Sequence, residues 1–82
     1  MQIPVPHLQH SIQAVVRYGE TSGYVAECLE LPVVTQAATL DDLVANLREA
    51  VALQLMDEDP AQWGLVANPA LRLFFELDAA VA

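Results

Sequence analysis

Between Tyr24 and Met56 an alternating segment, a proline corner and a three-and-four apolar period follow one another without interruption. That succession restricts the chain to a strand, a tight corner and one long amphipathic helix. In Tyr24 to Leu29 the side chains of Tyr24, Ala26 and Cys28 share one face, and those of Val25, Glu27 and Leu29 share the other. Pro32 ends this strand, because it cannot donate to a ladder and holds its neighbour extended. Val33, Val34, Thr35 and Gln36 supply a short β-branched continuation, and Thr39 opens the helix. Its hydroxyl is placed to accept from the amide of Asp42, while Asp41 and Asp42 suit the positive end of the helix dipole. Leu40, Leu43, Val44, Leu47, Val51 and Leu55 then draw one apolar stripe, and Asp57, Glu58, Asp59 and Pro60 stop the helix.

The flanking segments complete the architecture. Ser11 to Tyr18 alternates as a first strand, and the polar loop from Gly19 to Gly23 turns it into the strand that starts at Tyr24. Ala61 to Pro69 reads as a connector that ends on the turn signal Asn68-Pro69. Ala70 to Asp78 reads as a last strand, whose bulky set Leu71, Leu73, Phe75 and Leu77 is expected to pack on the helix stripe. The order is β-β-β-α-β, an α+β two-layer sandwich with one long helix on a small antiparallel or mixed sheet. One domain spans residues 1–82, with an extended arm over 1–10 and a core over 11–78.

The segment from Gly23 to Leu55 closely resembles the core motif of the HicB-like domain, the antitoxin fold of HicAB toxin–antitoxin systems. The likeness rests on Tyr24-Val25-Ala26, Glu30-Leu31-Pro32, Thr35-Gln36, Thr39-Leu40 and Asn46-Leu47-Arg48-Glu49-Ala50, in that order and at that spacing. Two turn positions depart from it: Val33 stands where the family usually has glycine, and Ala37-Ala38 where it commonly has Gly-Asp. The resemblance implies a partial RNase H-like fold. It also implies an antitoxin role, in which the domain binds the small basic RNA-cleaving toxin HicA and blocks its catalytic histidine surface. Such antitoxins usually carry a C-terminal DNA-binding module as well; with the last strand ending near Asp78, the expectation here is a minimal form without one.

Charge and composition bound the function independently. The chain holds 3 basic and 11 acidic residues and no lysine, a balance that repels nucleic-acid backbones and anionic membranes and attracts basic partners. Its single cysteine excludes an internal disulfide. No apolar run approaches the roughly 18 residues of a membrane span, and the expected location is the cytoplasm. An apolar fraction of 55% in 82 residues leaves surface to spare after a core is filled, so a homo-oligomer, a dimer or higher, is expected.

No constellation points to catalysis or to a metal. His7 and His10 lie in the arm without acid or thiol neighbours in sequence, and Cys28 reads as a small buried hydrophobe. Glu27, Glu30 and Asp41 stand near strand ends, but their spacing brings no three carboxylates together for two-metal nuclease chemistry. A non-enzymatic binding protein without cofactor or metal is expected. Glu27, Glu30, Asp57, Glu58, Asp59 and Trp63 are candidates for partner binding, although solvated faces and a helix end would equally place acids there. Val15, Val25 and Phe74, apolar on the sheet face expected to lie away from the helix, are candidates for self-association. The alternative function is a stand-alone homo-oligomer with neither toxin nor DNA partner.

Overall fold

A computed structural model describes residues 7–76 of the chain. Within it β1 (Gln9–Tyr18), β2 (Tyr24–Cys28) and β3 (Val34–Ala37) precede α1 (Leu40–Leu55), a single 3-10 turn (Pro60–Trp63) and β4 (Leu65–Phe75). The strands form one sheet in the order β3-β2-β1-β4. β1 pairs antiparallel with β2, and β2 with β3, whereas β1 pairs parallel with β4. The expected α+β sandwich, with a four-stranded mixed sheet and one long helix, is the observed fold.

The hairpin between β1 and β2 follows from its glycines. Gly19 donates its amide to the carbonyl of Gly23 at 3.0 Å, and Gly23 itself sits at φ +75°, where a side chain would be strained. Beyond β2 the corner closes tightly: Cys28 donates to the carbonyl of Val33 at 2.9 Å, and Val33 donates to that of Leu31 at 2.8 Å. Leu31 and Val33 thereby turn inward and are buried, while Pro32 faces out. Val33 keeps a negative φ, so this corner needs no glycine and uses the extra side chain as core.

Thr39 caps α1 as its sequence implies, its side chain accepting from the Asp42 amide at 3.1 Å. The buried stripe is narrower than the apolar spacing suggests. Leu43, Leu47 and Val51 are buried and Ala50 and Leu55 pack beside them, whereas Leu40 and Val44 are exposed. These side chains close on Ile12, Ala14 and Val16 of β1 and on Ala26 and Cys28 of β2, the alternate residues of each strand. Asn46 also ties the helix to the sheet edge by donating to the carbonyl of Gln36 at 3.3 Å.

The two ends of the sheet correct the sequence reading. β1 starts at Gln9, taking His10 out of the supposed arm, and Gln9 donates its amide to the carbonyl of Gly64 at 2.7 Å. β4 starts at Leu65, five positions before Ala70. Asn68-Pro69 is therefore no turn: it lies in an irregular stretch where Gln9 pairs with Leu65 and Ser11 already pairs with Ala70. Leu65 plugs the core at 1% exposure, a role the connector reading hides. Conversely, Leu73 and Phe75 share the helix side of the sheet with Ala14 and Val16 but are 38% and 37% exposed, so the helix does not cover them. Residues 1–6 of the arm, and Leu77 and Asp78 of the expected last strand, lie outside the described residues.

Candidate binding surfaces

The acids proposed for partner binding fall into two places. Glu27 stands on the sheet face opposite the helix, between Val15 of β1 and Val34 of β3, and meets Arg17 at 3.4 Å. Both partners of this ion pair are about half exposed, so it contributes little to stability and leaves the Glu27 charge in solvent. The remaining acids gather toward the end of the sheet where β1 and β4 begin. Gln9 links that region together: its side chain donates to Glu30 at 3.1 Å while its backbone is held by Gly64.

Glu30 is the most engaged of them. Gln13 donates its backbone amide to one carboxylate oxygen at 2.8 Å and its side-chain amide to the other at 2.7 Å. Partial burial pushes this carboxyl up, but the donors from Gln13 and Gln9 outweigh it and hold Glu30 below the ordinary glutamate value. Burial, reinforced by the neighbouring Glu30 charge, raises the Cys28 thiol, which disfavours a nucleophilic thiolate at that position.

At the end of α1 each acid has a local task. Asp57 takes the left-handed conformation with φ 61°, continuing the chain past the cap at Met56. Glu58 accepts from the Trp63 indole at 2.7 Å, and Asp59 caps the 3-10 turn by accepting from the Ala61 amide at 3.1 Å. Trp63 is half-buried against the core, held by its ring on one side and by Glu58 on the other. These acids are exposed, so each still presents its charge outward. His7 and His10 are both exposed, and among the described residues no three His, Cys, Asp or Glu side chains converge as a metal site would require.

The apolar candidates share the face away from the helix. Phe74 lies beside Val15 in the register, and Val25 lies one step further along β2, opposite Arg17. Phe74 is 46% exposed with the Arg72 guanidinium 5.6 Å from its ring centre, whereas Val15 and Val25 are half-covered. A second apolar group lies on the helix side and was not singled out by sequence: Tyr18, Tyr24 and Phe75 form an aromatic cluster with ring centres 5.2 to 5.8 Å apart. Tyr18 and Tyr24 flank the Gly19–Gly23 turn in sequence and pair across the hairpin, whereas nothing in the sequence places Phe75 beside them through the parallel β1–β4 pairing.

Compared with protein-family models, with curated proteins and with solved structures, the chain gave no match in any of the three. No helix among the described residues is long and apolar enough to cross a membrane.

Proposed function

We propose that this chain is a binding protein of the HicB-like antitoxin type, which captures a small basic RNA-cleaving toxin and covers its catalytic surface. The observation that carries this reading is the β-β-β-α-β order, with the Glu30-Leu31-Pro32 corner and the Thr39-capped helix where the resemblance implies them. Charge supports it. A net charge of -8 with no lysine accelerates encounter with a basic partner and disfavours acidic ones. In this reading Glu27, Asp57, Glu58 and Asp59 present charge to the toxin, Trp63 offers a rigid aromatic edge, and Glu30 holds the corner that follows Glu27.

The test is co-expression of the tagged protein with the products of its neighbouring genes, followed by capture at low and high salt. A small basic protein is expected to co-purify, with weaker capture at high salt and in the double variant Glu27→Gln, Asp57→Asn. Salt-independent capture, unaffected by those substitutions, would move the interface away from the acids. No captured neighbour would favour the second reading, a stand-alone homo-oligomer, which the exposed apolar residues of β4 support.

A further inference from the structure

We propose that β4 is the seam of a symmetric dimer, in which two copies of this chain pair antiparallel through β4 to make one continuous eight-stranded sheet centred on Phe74. The inference goes beyond toxin capture and does not depend on it. It begins with the direction of the backbone. β4 is an edge strand, and no described residue pairs with its outer side. Glu76 donates its amide inward to Val16 at 2.9 Å, so Arg72, Phe74 and Glu76 turn their peptide groups toward β1. Leu71, Leu73 and Phe75 accordingly turn theirs outward, since peptide groups alternate sides along a strand.

An edge like this is normally blunted by lysine, proline or a bulge. The irregular stretch with Pro69 protects only the start of β4, and Ala70 to Glu76 carries just two charges, Arg72 and Glu76. Those two flank Phe74 at equal distance in sequence. A two-fold axis at Phe74 therefore sets Arg72 of each copy directly opposite Glu76 of the other, on the face away from the helix. The same axis sets Leu73 against Phe75 of the second copy, as pairs whose outward peptide groups exchange both hydrogen bonds. Moving the axis to Leu73 leaves Arg72 opposite Phe74, and moving it to Arg72 opposes like charges. Among registers confined to the described residues, only the one centred on Phe74 opposes an acid and a base. It also covers Leu73 and Phe75 on the helix side, 38% and 37% exposed, and Phe74 on the opposite face, 46% exposed.

The experiment is light scattering on the purified chain and a charge-swap series. The wild-type protein is expected at twice the 8.9 kDa chain mass. Arg72→Glu alone and Glu76→Arg alone should each shift it to monomer, and the double swap should restore the dimer. Leu73→Pro should also give a folded monomer by circular dichroism, because the amide it removes points outward rather than into the β1 ladder. In a separate arm, Phe74→Cys should cross-link into a dimer on mild oxidation, since opposed residues at such a position lie about 4.5 Å apart between Cα atoms; wild type, with only buried Cys28, should not. A monomeric wild type overturns the proposal. A dimer that survives both single charge reversals, or that the double swap fails to restore, overturns the register centred on Phe74.

Discussion

Gln13 and Glu30 complete the β1–β2 ladder after the β2 backbone has left it. Leu29 still donates to the Gln13 carbonyl at 2.9 Å, but the Gln13 amide finds no backbone acceptor and donates to the Glu30 side chain at 2.8 Å instead. A carboxylate thus takes the place of a strand carbonyl at the corner. Satisfying that amide fixes where the chain turns, and so where Leu31 and Val33 enter the core.

Glu30→Gln is expected to destabilise the fold by about 1–2 kcal/mol at neutral pH, since the amide replaces one accepting oxygen with a donor. The pH dependence has a definite sign. Glu30 is held below its ordinary value when folded, so its contribution is present at neutral pH and disappears as pH falls through the folded value. Urea melts of both proteins at neutral and acid pH check this: the gap between their midpoints should close in acid. A gap that persists in acid would mean that packing, not ionisation, makes the corner.

Gly23 and Gly64 share φ +75° but differ in surroundings. A Cβ on Gly23 would lie 2.6 Å from the Ala37 carbonyl oxygen, whereas one on Gly64 would meet nothing within 4 Å. Gly64→Ala should therefore cost only the left-handed backbone, about 1–2 kcal/mol. Gly23→Ala adds a backbone clash between the hairpin and the end of β3, and roughly 2–4 kcal/mol is expected. Equal losses in denaturant melts would show that the hairpin shifts freely enough to absorb the clash.

Asp57→Gly should stabilise the protein by about 0.5–1 kcal/mol. Asp57 is the one non-glycine residue at positive φ among those described, and it adds negative charge where the helix dipole is already negative. Its replacement should raise the thermal midpoint by several degrees, at about 4–8 °C per kcal/mol for a domain of this size. A lower midpoint would reveal a stabilising contact made by the Asp57 carboxylate.

Local patterns were legible where one period ran undisturbed. The Thr39 cap, the helix, the hairpin and the alternation of Ile12, Ala14 and Val16 are all visible in the residues themselves. Long-range choices were not. Leu40 and Val44 match the helical period, yet the helix is turned so that Leu43, Leu47 and Val51 face the sheet. Asn68-Pro69 has turn chemistry, yet an irregularity lets β4 begin before it, which conceals Leu65. Among the candidate site residues, alternation placed Val15, Val25 and Phe74 on one face. It could not show that Glu30 would be drawn into the ladder, because that bond depends on where β2 stops relative to Gln13.

Leu65→Ala and Leu40→Ala separate packing from pattern. Leu65 is 1% exposed at the base of the core, and its truncation should cost about 2–5 kcal/mol. Leu40 is 43% exposed despite its place in the helical period, so its truncation should stay within about 0.5–1 kcal/mol. Chemical denaturation of the two variants decides between them. Comparable losses would show that Leu40 packs in solution.

Cys28 reports on opening of the fold without any added label site. It is buried beneath the helix, and burial followed by the Glu30 charge raises its thiol. A thiol reagent reacts with thiolate, so the folded protein should react far more slowly than a small thiol, and at a rate set by exposure through unfolding. Destabilising variants such as Leu65→Ala should accelerate labelling about tenfold for each 1.4 kcal/mol of stability they lose. The linkage runs in the alkaline direction: a thiol raised in the folded state contributes fully below its unfolded value, and that contribution is lost as pH rises through the folded one. Labelling measured with increasing urea at fixed pH should therefore track the unfolding curve. Rapid labelling independent of urea would show that the sheet and helix separate locally at Cys28 while the rest of the core stays closed.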